Sequence, residues 1–165
     1  APTLLEYFGV DRPPDMQGVP LRETIATDAP VRAAGLFGLH GGQVNCTDGR
    51  YVYMRAPASA DNTPLYEYTL MPTHMRQPFG VDELQETTMA EPFSFTKGCP
   101  VMKIAGRAWV NPHQFGTVLY DLEKDPAQQH PLDDPEIERM MIEHMVRLMK
   151  ENDAPAEQFE RLGFV

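Results

Sequence analysis

Asp134-Pro135 opens the long helix of this chain and, through that helix, limits what the rest can fold into. Aspartate accepts hydrogen bonds from the free N–H groups of a first turn, and proline at the next position supplies helical φ without adding another unpaired donor. Glu136 and Glu138 then lie near the positive end of the helix dipole. From there to about Lys150, Ile137, Met140, Met141, Met145, Leu148 and Met149 recur at helical spacing on one broad face, with His144 as the histidine at its boundary. A face that wide has to be covered. With 16 prolines and 12 glycines, the remainder offers turns and short elements rather than more long helices, so the cover is a sheet.

Strand signals supply that sheet. Gln43–Thr47 and Arg50–Met54 flank Asp48-Gly49, a dipeptide suited to the positive φ angles of a type I′ turn. Counting outward pairs Cys46 with Tyr51 and Val44 with Tyr53 on one face, leaving Asn45, Val52 and Met54 on the other. Leu65–Leu70 alternates as a third strand; Phe93–Phe95, Val101–Ile104 and Thr117–Tyr120 are shorter ones, all without βαβ spacing and hence antiparallel. Val81–Met89 carries one or two helical turns, and Glu157–Leu162 a terminal one. Pro2–Phe8 reads as a short helix with Leu4, Leu5 and Phe8 on one face and Gly9 at its C-terminus. Such a helix is marginal alone, and no capping side chain precedes Pro2, so the chain reads as a piece of a longer protein. Asp11–Leu21 is a proline-rich tether, and Val31–Gly38 an apolar run of strand length, suited to burial on both faces at the edge of a larger sheet.

Charge and motif chemistry exclude several functions. A net charge of −10 with no Lys/Arg stripe repels phosphate backbones and anionic headgroups, so nucleic acid is not an expected partner. No apolar run approaches the ~20 residues of a membrane span, and no targeting segment is visible. Ser59 and Ser94 both lie outside Gly-x-Ser-x-Gly, which removes a serine hydrolase. Gly35–Gly41 has the wrong glycine spacing for a dinucleotide fingerprint, and no Gly-Lys-Ser/Thr follows for a P-loop. His40, His74, His113, His130 and His144 lack the helical spacing of metal ligands. Cys46 and Cys99 are too few and too far apart to decide between a disulfide and free thiols.

Four segments, in order, resemble the sulfatases of the alkaline-phosphatase-like superfamily. Val118-Leu119-Tyr120-Asp121-Leu122-Glu123-Lys124-Asp125-Pro126 is similar to the closing Leu-Tyr-Asp-Leu-x-x-Asp-Pro of that family, and Thr47–Arg55 to the strand that follows the family's Gly-x-Ser-Leu segment. Ala1–Leu5 with Gly9-Val10 resembles the helix after the catalytic metal and lysine motifs, and Asp15–Leu21 the Gly-x-Ser-Leu segment, with Pro20 in place of serine. The pattern departs at Ala127–Leu132, where many members carry Gly-Glu-x-x-Asn-Leu. The resemblance implies an α+β arrangement: a small antiparallel sheet covered by the long C-terminal helix, preceded by the last helix and strand of an α/β catalytic domain. Residues 1–40 would be the tail of that domain and 41–165 the C-terminal subdomain.

The family's nucleophile is a formylglycine made from Cys-x-Pro-x-Arg, and its metal is a divalent cation, usually calcium. Cys46-Thr47-Asp48-Gly49-Arg50 imitates that motif without its proline, and Cys99-Pro100-Val101-Met102-Lys103 fails it too. No catalytic or metal-ligating residue therefore carries over, and no cofactor is expected in this chain; both belong to a missing N-terminal catalytic domain, the expected partner. In such enzymes the C-terminal subdomain forms one wall of the cleft for a sulfate ester. The resemblance makes His40, Asn45, His74 and Arg76 the expected substrate contacts, with Arg76 offering charge-assisted hydrogen bonds to an anionic ester. Two other readings are a phosphonate or phosphate ester hydrolase of the same superfamily, and an independent module that forms homo-oligomers through the apolar faces of its first helix and of Val31–Gly38.

Overall fold

The computed structural model describes residues 1–74 and 76–165, which form two compact units, Ala1–Ala33 and Ala34–Val165. In the first, α1 spans Pro2–Tyr7, and Gly9 follows it with φ 66°. Thr3 Oγ1 accepts from the Leu21 N–H (3.1 Å) and Arg12 donates to the Gly18 carbonyl, so the proline-rich segment folds back beside its own helix. A second helix, α2 (Arg22–Thr27), ends on Asp28 in the left-handed region. Leu4, Phe8 and Ile25 stay largely exposed.

The second unit is α+β, with small antiparallel sheets and a long helix near its C-terminus. Strands β1 (Gly35–Gly38), β2 (Val44–Thr47), β3 (Tyr51–Arg55) and β9 (Val118–Asp121) lie side by side in that order. Helix α4 (Pro135–Glu151) packs across β1, β2 and β3, its cap made by Asp134 Oδ1 accepting from Glu136 and Ile137 N–H. Met141, Met145 and Met149 meet Cys46, Tyr53, Leu119 and Leu162 in the core, as the apolar stripe requires. Each such side chain is worth about 1.5–3 kcal/mol on burial. Short helix α5 (Ala156–Arg161) closes the unit and delivers Leu162. No helix among the described residues is long and apolar enough to cross a membrane.

Three local expectations are corrected. The hairpin register is shifted by two residues: Cys46 pairs with Tyr53 and Val44 with Arg55. A type I′ turn needs positive φ at both central residues, but only Gly49 has it (99°). Asp48 Oδ1 instead accepts from the N–H groups of Arg50 (2.9 Å) and Tyr51 (2.7 Å), which widens the turn. Because the shift is even, each side chain keeps its face. Phe93–Phe95 is not a strand; Ser94–Thr96 forms a 3₁₀ turn, since Asp153 takes the Ser94 N–H (2.8 Å) and Thr96 Oγ1 bonds the Phe93 carbonyl. Val31–Gly38 is not buried on both faces: only Gly35–Gly38 is extended, an edge strand with Phe37 47% exposed.

A second sheet, rather than a continuation of the first, holds β4 (Tyr66–Thr69), β8 (Val101–Ala105) and β7 (Thr88–Ala90), with β8 central. Beside it are the two-stranded ribbon β5 (Thr73–His74) with β6 (Gln77–Pro78), and helix α3 (Val81–Gln85). Its buried apolar residues are fewer, Val101, Ile104, Leu65 and Phe79.

Candidate functional site

The edge strand β4 presents Tyr66 and Tyr68 on one side and Glu67 between them on the other, by simple alternation. Glu67 lies between two of the expected histidines. His40, from the loop after β1, places Nε2 3.6 Å from Glu67 Oε1, and His74, on β5, places Nδ1 3.5 Å from Oε2. The other nitrogen of His74 meets Glu83 Oε1 at 2.8 Å, and Phe79 packs against its ring edge-on. Glu83 also accepts from the Gly80 N–H (2.7 Å) at the start of α3. That backbone bond first, and His74 second, hold the Glu83 carboxyl below the usual carboxylate range. The result is a row, His40–Glu67–His74–Glu83, drawn from four separate elements.

On the tyrosine side, Lys103 of β8 lies 4.0 Å from the Tyr66 ring centre and reaches Glu157 of α5 at 2.6 Å. Tyr68 donates its hydroxyl to the same carboxylate. Burial first, and then that bond to Glu157, push the Tyr68 hydroxyl up to about 12. Beneath these residues Arg161 is buried with neutral acceptors: Asn62 Oδ1 (2.7 Å), Gln158 Oε1 (3.0 Å) and the Gly42 carbonyl (3.3 Å). Asn62 Nδ2 in turn donates to the Gly41 carbonyl (2.9 Å). This fixes the loop after His40, the turn at Asn62 and helix α5 to one another.

Two open clefts flank this arrangement. One, of about 590 Å³, is lined by His40, Glu67, His74 and Gln158; the other, of about 680 Å³, by Asn62, Thr63, Arg107 and Asn111. Tyr66 and Trp109 line both, and Trp109 is 96% exposed. Of the four expected contacts, His40 and His74 thus share one cleft. Arg76 is exposed in the turn between β5 and β6, and Asn45 is on β2 of the other sheet, its amide oxygen buried with no hydrogen-bond partner among the described residues. Glu67, Glu83, Trp109, Gln158 and Arg161 were not legible as site residues, although a glutamate inside an alternating strand is a signal that Glu67 offered.

The Cys46 and Cys99 thiols are free. Burial first, and Asp48 second, push Cys46 up to about 11, so it stays a thiol in the core and not a nucleophile. No group of three or more His, Cys, Asp or Glu side chains among the described residues is arranged to hold a metal ion. The cleft residues can bind, orient and exchange protons with a ligand. Compared with known proteins, the chain matches no family model, and no curated protein is significantly similar to it.

Proposed function

We propose that this chain is the C-terminal part of a sulfatase-type sulfuric ester hydrolase, completing the parent fold and forming one wall of its substrate cleft without being catalytic alone. What supports the reading is that two of the segments that resemble the family depend on each other physically. Strand β3, from Thr47–Arg55, pairs with β9, from the closing signature, and Arg50 binds Asp121 through Nη2 (2.9 Å) and Nε (3.3 Å) across 71 positions of sequence. Asp121 accepts from the Glu123 N–H as well; the bond from Arg50 first, with that backbone bond and against the opposing effect of burial, holds its carboxyl low. In this reading the four-stranded sheet and α4 are scaffold, and the cleft of His40 and His74 faces substrate. On that reading the formylglycine and calcium of the resembled family belong to the partner domain; no group of three or more His, Cys, Asp or Glu side chains among the described residues is arranged to hold a metal ion.

The test is the reading frame upstream of Ala1 together with hydrolysis of 4-nitrophenyl sulfate by the longer product. Cys/Ser-x-Pro-x-Arg followed by Asp-His-Gly, with turnover by the longer product and none by these 165 residues, is the expected result. Absence of both motifs overturns the proposal, and turnover of a phosphonate monoester in place of the sulfate moves it to the neighbouring hydrolases. The exposure of Leu4 on α1 and of Phe8 just after it favours a second reading, a self-associating module, which a monomeric mass by light scattering removes.

A further inference from the structure

We infer that the two clefts joined by Trp109 form a saccharide-binding site, with Trp109 as the stacking platform and Glu67 and Gln158 as the groups that read ring hydroxyls. The observation that carries this is the position of the sole tryptophan: it is 96% exposed and lines both clefts together with Tyr66. A large ring left in water at the rim of two concave surfaces offers apolar area to a ligand that covers it. Each cleft alone has the size of a small-molecule site, so a ligand of more than one ring can lie across Trp109.

The polar lining selects the class of ligand. An apolar molecule would strip water from Glu67, His40, Gln158 and Arg107 without replacing its hydrogen bonds. For an anion, the cleft of His40 and His74 has no lysine or arginine among the described residues that line it, a carboxylate in that lining, and Lys103 nearby already committed to Glu157. For an organic cation, the Tyr66 ring already carries the Lys103 ammonium. A polyhydroxylated ring meets the lining on every count, because a hydroxyl both donates and accepts. Glu67 lies 3.5 and 3.6 Å from its two histidines, longer than a hydrogen bond, so its oxygens keep lone pairs for ligand hydroxyls. Gln158 accepts from Arg161 through Oε1, and this orients its NH₂ as a donor. The C–H face of the sugar then covers Trp109.

The inference deepens the reading above, since the saccharide would be the alcohol part of the ester, yet binding of an uncharged sugar does not depend on that reading. Because Trp109 is the sole tryptophan, its emission reports occupancy directly. The 165-residue chain is titrated with N-acetylglucosamine, galactose, their disaccharides and their sulfate esters. The expected result is a saturable emission change with Kd on the order of 1–10 mM for the neutral sugars, tighter for the disaccharides. By calorimetry, Trp109→Ala abolishes binding with its thermal midpoint unchanged, since Trp109 stands in water, and Glu67→Gln, at a side chain 29% exposed between two histidines, weakens binding about tenfold. No saturable change with any sugar overturns the inference, as does a response to phenol or a quaternary ammonium probe alone. Sugar binding by a chain whose upstream frame lacks the sulfatase motifs keeps the saccharide site and removes the hydrolase reading.

Discussion

The two sheets of the second unit are built on opposite terms. The four-stranded sheet lies under α4, and Cys46, Tyr53, Met141 and Met145 between them are fully buried. The three-stranded sheet has few buried apolar residues and is tied instead by the contacts of Glu67, Glu83, Glu157 and Arg161, while Trp109 and Phe95 stay in water. Apolar packing is non-directional and strong in sum; ion pairs and hydrogen bonds at a partly wet surface are directional and individually modest. The difference teaches where to look for each property: stability in the first sheet, ligand chemistry in the second.

The hardest break should come from the first sheet. Met145→Ala removes a side chain with no exposure from the centre of the α4 interface, and such truncations cost about 2–5 kcal/mol. Urea denaturation followed by far-UV circular dichroism measures it. A loss below about 1 kcal/mol would mean that α4 is a loose cover and not the core.

Gly41 sharpens the comparison because it joins the regions. It follows His40, has φ 69°, and a Cβ there would come within 2.9 Å of Ala108 and 3.0 Å of Leu65. Gly41→Ala is therefore both strained and crowded against backbone, costing about 1–3 kcal/mol. The loss should appear in hydrogen exchange of β4 and β8 before that of β2. Uniform loss would show that the sheets unfold as one cooperative unit.

The same contrast explains what could be read from sequence. Helix α4, its Asp134 cap and the paired faces of β2 and β3 were legible, because periodicity and capping are local and a packed core obeys them. Helix α2 was not: Arg22–Thr27 holds one large apolar residue, Ile25, and makes no stripe. The Ser94–Thr96 turn depends on Asp153, 59 positions away, and the two-residue register shift on the side chain of Asp48. The histidines His40 and His74 stood out as loop residues, but the glutamate between them comes from a strand whose pattern said only that it alternates. Arg161 looked like the end of a terminal turn, and its burial follows from acceptors at positions 42 and 62.

The smallest effect tests the second sheet by pH. Burial of Glu157 works against its charge, but the hydrogen bonds from Lys103 and Tyr68 outweigh that and hold its carboxyl below the usual range. A carboxyl whose folded pKa is depressed contributes stability above its unfolded pKa, about 4.3, and loses that contribution as pH falls through the folded value. Tyr68 behaves in the reverse sense: pushed up to about 12, it contributes fully below about 10 and loses this as pH rises through 12. Tyr53 in the first core, raised to about 12 chiefly by burial, shares that alkaline limit. The acid limit separates the sheets, because in the first the carboxylate held low, Asp121, lies on the edge strand β9, which pairs with β3 and not with β2. Below pH 4, amides of β4, β8 and α5 should lose exchange protection while those of β2 keep theirs. Glu157→Gln should cost about 1 kcal/mol at pH 7, given its partial exposure, and flatten that acid response. If β2 loosens in step with β4 in the native protein, or if Glu157→Gln leaves the acid response intact, the Lys103–Glu157–Tyr68 tie is not what holds α5 to the second sheet.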